Sequence, residues 1–315
     1  LAEVGMDSLM SVDIGAALED EFNLHLESTF LLDCATTMEV ITRIGEKLNA
    51  LPKASIVFEP EVEIPQQVST ALPMPQLSSV TPCETSVSVI GMACKFPFAN
   101  SLVEFWKVLI DGSNCVRPSP DSRRGTHGLG DIHAGALDEV DKFDAEFFGI
   151  SSREANLMDP QQRLLMESTW HAIEHAGMTR EMLRKTNTAV YIGMAARDYE
   201  MVAVNAGVTD AYIGTGLAMS IAAGRISHYY CLQGPCFSLD TACSSSLVAL
   251  HLGRTAIAEG GSSYAIVGGV NTALSSFTTD NLSKLNFLSP VGKCATFDAS
   301  ANGFVRGEGC AVLIL

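Results

Sequence analysis

Apolar and polar positions follow three different rhythms along the chain. Over residues 86–315, short apolar runs at 87–93, 189–193, 264–270 and 311–315 carry no charge and are rich in Val, Ile and Ala. Uninterrupted runs of that length predict strands buried on both faces. Between them, residues 158–176 place Leu164, Leu165, Ser168, Ala172 and Ile173 on one helical face. Strands alternating with helices predict an α/β domain, a largely buried sheet with helices on both sides. Small residues at 220–224 predict a helix that approaches its neighbours closely. A further run, 236–239, follows Gly234-Pro235, and from Ser244 the residues Leu247, Val248 and Leu250 mark the buried side of another helix. Cys243 is thereby predicted at a turn from strand to helix.

The first 85 residues differ. Asp7 or Ser8 can cap a helix in which Leu9, Met10, Val12, Ala16, Ala17 and Leu18 recur at helical spacing, opposite an acidic face of Asp13, Glu19, Asp20 and Glu21. Residues 36–48 read as a second helix. From 49 to 85, Pro52, Pro60, Pro65, Pro73, Pro75 and Pro82 stand among Ser and Gln with little apolar periodicity, the composition of an extended linker. The expected organisation is a small helical unit (1–48), a tether (49–85) and a large α/β domain (86–315).

Composition narrows the function classes. With 47% apolar and 18% charged residues in 315, the chain can bury a large core. A net charge of −16 without clustered Lys and Arg argues against nucleic acid. No apolar run approaches the roughly 20 residues of a membrane span, and no signal peptide is visible. Nine cysteines, an odd number without C-x-x-C spacing, suit free thiols in a reducing, cytoplasmic compartment, with no metal site expected. The chain opens on Leu1 inside a motif, so a piece of a longer protein is expected.

The candidate chemistry centres on Cys243. Free N–H groups at the start of the following helix would stabilise negative charge on sulfur, and could also donate to an oxyanion formed when that sulfur attacks a thioester. Asp240, Thr241, Ser244, Ser245 and Ser246 are poor core residues, so a reactive position competes here with the commoner fate of a cysteine as a small buried hydrophobe. His171, His175, His228 and His251 fall on predicted helices and read as packing or surface residues; His251 lies about two turns beyond Cys243.

The words DTACSSSLVALH around Cys243 resemble the active-site segment of the β-ketoacyl synthase domains of polyketide synthases. VIGMACKFP, VDKFDAEFFGISSREANLMDPQQRLLMESTWHAIEHAG, TGLAMSIAAGRISHYYCLQGP and KLNFLSPVGKCATFDASANGFVRGEGCAVL extend the resemblance over nearly all of residues 86–315. It implies the N-terminal half of a thiolase-like layered fold, expected to be a homodimer, with Cys243 carrying the growing acyl chain. It also implies two catalytic histidines C-terminal to the GEG segment, outside this chain, so that the fragment alone is not expected to condense. GMDSL with FLLDCATTMEVITRI resembles part of an acyl-carrier domain, a partial helical bundle in which Ser8 would hold 4'-phosphopantetheine. The implied reaction is polyketide elongation, acyl transfer from a carrier thioester to Cys243 followed by decarboxylative condensation with a malonyl-type extender. A fatty-acid or polyunsaturated fatty-acid synthase, or a non-condensing interaction module, remains an alternative. Two departures stand out: Phe98 where the family usually has glycine, and Asn302 where an acidic residue often precedes Gly303.

Overall fold

The computed structural model describes residues 36–49, 86–123, 132–184 and 186–315, with 14, 18, 26, 30, 31, 34 and 129 singly. The chain divides into two units, Leu1–Thr81 and Pro82–Leu315. In the first, helix α1 (Thr37–Asn49) begins where the Thr36 hydroxyl accepts the Glu39 N–H at 3.2 Å, and an Arg43–Glu39 pair one turn apart supports it. Ile44 on its inner face packs with buried Leu26, Phe30 and Leu31. Ser8 and most of the helix expected behind it lie outside the described residues; Ile14 and Leu18 are helical.

The second unit is built on a five-stranded sheet in the order β1 (Gly91–Lys95), β7 (Gly309–Ile314), β6 (Tyr264–Asn271), β4 (Thr188–Met194), β5 (Cys236–Leu239). Two short strands, β2 (Arg117–Pro118) and β3 (His133–Ala134), pair separately. The pairs β4/β5 and β4/β6 are parallel, whereas β7 runs antiparallel to both β6 and β1. Parallel neighbours need crossover helices, and these cover the sheet. Two helices, Pro160–His175 (α2) and Met219–Tyr230 (α3), bury one face. Leu164, Leu165, Ala222 and Ile226 meet Val190, Ile192, Ile266 and Val312 there, in the largest core cluster. On the opposite face, Ser245–Ala258 (α4) lies over β4 and β6 and packs Ala249 against Ala189, Ala265 and Val267.

Four of the five apolar runs become strands where expected. At 87–93 the strand starts later, at Gly91, because Val89 and Ile90 are on the outer end of an edge strand, 45% and 42% exposed. Leu247 departs further from expectation. It is 69% exposed, and the residues that α4 buries fully are Ser245, Ala249 and Gly253; Leu250 packs partly buried against the same cluster, as expected. Size decides this: the helix lies so close to the sheet that a Cβ on Gly253 would come within 2.3 Å of Val267 Cγ1. In α3, Ala222 and Ala223 are buried as expected of close packing, but Gly224 faces open space.

Both departures from the resembled family keep a defined local shape. Phe98 adopts φ 62°, the left-handed region that glycine enters without strain, and the Arg117 guanidinium lies 4.7 Å over its ring. The Asn302 Oδ1 accepts the Ser289 hydroxyl at 2.8 Å.

Candidate active site

Strand β5 ends at Leu239, and a three-residue 3-10 turn, Ala242–Ser244, leads directly into α4. Cys243 is the middle residue of that turn and is exposed. Its N–H, in the first turn of a helical segment, has no carbonyl of its own helix to bond. Ala242 before it takes φ 53°, a conformation that costs an alanine about 1–2 kcal/mol and persists only when its surroundings enforce it.

The surrounding polar residues do the enforcing. Asp240 Oδ1 accepts the Ala242 N–H at 2.9 Å, and Ser245 Oγ accepts the Thr241 N–H at 2.9 Å while donating to the Ala242 carbonyl at 2.7 Å. The Ser244 hydroxyl donates to the Thr241 carbonyl at 2.8 Å. The cluster that sequence reasoning associated with reactivity therefore shapes the turn, and none of these hydroxyls is spent on the sulfur.

Two glycines missed in the sequence set the depth of this turn. A Cβ on Gly193 of β4 would stand 2.7 Å from the Ser245 carbonyl carbon and the Ser246 nitrogen, and one on Gly269 of β6 would stand 2.7 Å from Ser246 Cβ. The two are register partners on adjacent parallel strands, so they form one flat step against which the helix start rests. The signal was present in YIGM and VGGV, but only the pairing register reveals its meaning.

Cys243 opens onto a groove of about 800 Å³ that also touches Met194, Leu247, Asn271, Phe304 and Glu308. No described histidine lines it, and His251, His171 and His228 are exposed on their helices. His175 accepts the Met92 N–H at 3.3 Å, which gives it a structural partner. Among the described residues, no group of three or more His, Cys, Asp or Glu could hold a metal ion. Nor is any helix there long and apolar enough to cross a membrane.

Other buried groups fix the scaffold. Asp159 caps α2 by accepting the Gln161 N–H at 2.8 Å, and burial pushes its carboxyl up to about 6 against those hydrogen bonds. Burial also pushes the Cys310 thiol, wholly enclosed on β7, up to about 12.

The sequence of the domain that holds this groove matches a known family. Residues 84–315 match the family described as beta-ketoacyl synthase, N-terminal domain. The chain belongs to the β-ketoacyl synthase family. Residues 1–44 match the phosphopantetheine attachment site family, so a carrier segment precedes the synthase domain.

Relatives of this synthase domain include a phenolphthiocerol/phthiocerol polyketide synthase of Mycobacterium tuberculosis, 43% identical over 246 residues, covering 74% of this chain and 13% of that protein. Phthioceranic/hydroxyphthioceranic acid synthase of Mycobacterium bovis is 41% identical over 247 residues, covering 74% of this chain and 12% of that protein. The chain thus spans about an eighth of the length of these relatives. Among solved structures, the ketosynthase from module 6 of the bacillaene synthase of Bacillus subtilis 168 superposes with a TM-score of 0.66 at 36% identity, over 72% of this chain and 38% of that one. An oxazolomycin ketosynthase domain from Streptomyces albus gives 0.65 at 34%, over 72% and 41%. The thiolase-like fold expected from the sequence is the fold observed.

Proposed function

We propose that Cys243 is the acyl acceptor of a polyketide synthase that elongates its chain by decarboxylative condensation. In the first step the Cys243 thiolate attacks the carbonyl of an acyl group held on a carrier thiol. A C–S bond forms, the tetrahedral oxyanion accepts the unbonded N–H at Cys243, and the carrier thiolate leaves and takes up the proton that Cys243 gave up. In the second step a malonyl-type extender on a carrier loses CO2. The electron pair left behind, an enolate, attacks the Cys243 thioester carbonyl and expels the Cys243 thiolate. The product is a β-ketoacyl chain longer by one unit.

The observation that carries this reading is the exposed Cys243 beside a left-handed alanine, at a helix start and opening on a groove large enough for a tethered thioester. An apolar packing cysteine needs neither the exposure nor the strained neighbour. Donors to the charge that develops on the enolate and oxyanion are expected from the family's histidine motifs, since no described histidine reaches the groove.

The same reading assigns residues 1–48 to a carrier whose Ser8 bears the phosphopantetheine arm, 49–85 to its tether, and 86–315 to the N-terminal half of the synthase domain. A tether raises the effective concentration of a carrier's thioester near its partner. We also assign a homodimer through β5. Among the described residues that strand pairs only with β4, and it exposes Phe237 at 44%, an open edge of the kind that a second copy can extend. Cys94, Cys115, Cys231, Cys236, Cys243, Cys294 and Cys310 are free thiols, which suits a reducing, cytoplasmic setting.

The experiment is acyl loading followed by intact-protein mass spectrometry. The protein carrying this chain at its full natural length, produced without phosphopantetheine on its carrier segments, is incubated with an acyl thioester, beside its Cys243→Ala variant. The parent gains the acyl mass and the variant does not; equal loading of both removes Cys243 from the reaction.

A further inference from the structure

One part of the groove lining is formed by residues 304–309, an irregular stretch that runs into β7 at Gly309. Such a stretch needs other means to hold a shape. Isolated bridges from Phe304 to Leu288 and from Gly307 to Gly135 supply part of them, and the Glu308 side chain supplies the rest. Its carboxylate, with a side chain only 1% exposed, pairs with Arg123 at 8%. One oxygen accepts Arg123 Nη1 at 2.8 Å and the Leu137 N–H at 2.8 Å; the other accepts Arg123 Nη2 and the Ala273 N–H at 2.7 Å. Arg123 Nη2 continues to the Ala273 carbonyl, and its Nη1 to the Leu137 carbonyl at 3.4 Å.

One ion pair therefore joins positions far apart in sequence: Arg123 and Leu137, the loop after β6 at 272–275, and the groove wall. The loop is gripped from its other side by buried Asp198, whose carboxylate accepts the Leu274 and Ser275 N–H groups at 3.0 and 3.2 Å. Asn271, at the end of β6, donates from Nδ2 to the Gly307 carbonyl at 2.6 Å and completes the tie between loop and wall.

A buried pair of charges is a weak device for stability, because removing both ions from water offsets most of their attraction. What this pair supplies is geometry, since every hydrogen bond it makes beyond itself ties Glu308, which lines the groove, to the backbone of Leu137 and Ala273. We propose that Arg123 and Glu308 are positioning residues for acyl transfer: they hold the wall at 304–309 where the incoming thioester must lie against Cys243. The proposal rests on Cys243 being the acyl acceptor.

The test compares two reactions of one sulfur. Acyl loading requires the wall; alkylation by iodoacetamide, a small reagent, does not. Arg123→Lys keeps the charge but cannot make the fork of bonds. Below its melting temperature it is expected to load at a rate lowered about tenfold or more at saturating thioester, with alkylation of Cys243 unchanged. Asn271→Ala changes an exposed side chain and spares the buried pair, so it tests the wall even if Arg123→Lys fails to fold. It is expected to load about threefold more slowly, again with parental alkylation. Parental loading rates in folded Arg123→Lys, or in Asn271→Ala where the first variant does not fold, overturn the proposal. Failure of the underlying reading is seen elsewhere, as acyl loading of Cys243→Ala.

Discussion

Gly193→Ala tests the claim that the sheet sets the depth of the cysteine turn. The added methyl would stand 2.7 Å from two backbone atoms of Ser245 and Ser246, and neither can swing aside as a flexible side chain could. Attractive contact begins near about 3.5 Å, so the start of α4 must retreat by about 0.8 Å or the strand must sink into the core beneath it. Overpacking of this kind costs about 1–3 kcal/mol of stability. The same retreat carries Cys243 with it, and displacements near 1 Å lower the rates of positioned reactions by up to about a hundredfold, so a fall of about tenfold or more is expected. The assay is acyl loading measured below the melting temperature, with thermal unfolding recorded beside it. Gly224→Ala is the control. Its methyl meets open space within a helix, so stability should rise by about 0.5–1 kcal/mol and loading should stay the same. A folded Gly193→Ala protein that loads at the parent's rate refutes the argument.

Asp159 makes a prediction about pH. Its folded carboxyl at about 6 lies above the ordinary unfolded value of about 3.9, so the folded state binds the extra proton between these two values. The stabilisation is full below pH 4 and is lost as pH rises through 6, a difference of about 3 kcal/mol. Asp159→Asn keeps an acceptor for the Gln161 N–H and cannot ionise, so its stability relative to the parent should climb between pH 4 and pH 7.5 in denaturant titrations; a constant gap contradicts the burial argument. Brief alkylation of native protein with peptide mapping should label Cys243 and Cys294, both exposed, and spare buried Cys94 and Cys310. Labelling of Cys310 ahead of Cys243 would run against the fold described. Phe237→Lys places a charge on the edge of β5 and tests the proposed homodimer: sedimentation should show a dimeric parent and a monomeric variant, and an unchanged dimer relocates the interface.

The sequence by itself determined the kinds of element and their order. Strands at 189–193, 264–270 and 311–315 are legible because a strand buried on both faces has to be apolar at nearly every position, whatever it pairs with. The helix over residues 158–176 is legible because one of its faces must repeat every 3.6 residues. The cysteine turn was legible too, as a local event between an apolar run and a helix start.

Only the tertiary structure decided what depends on who lies next to whom. Leu247 belongs to an apolar pattern and is nonetheless exposed, because α4 turns Ser245, Ala249 and Gly253 squarely to the sheet, with Leu250 and Ile257 beside them at its margin. Gly193 and Gly269 are ordinary glycines until the parallel register sets them side by side beneath Ser246. Arg123 and Glu308 stand 185 residues apart and become one pair only after the sheet has closed. Periodicity reports whether a residue faces the interior. It carries no record of which partner waits there, since that is settled by pairing and packing over long separations in the chain.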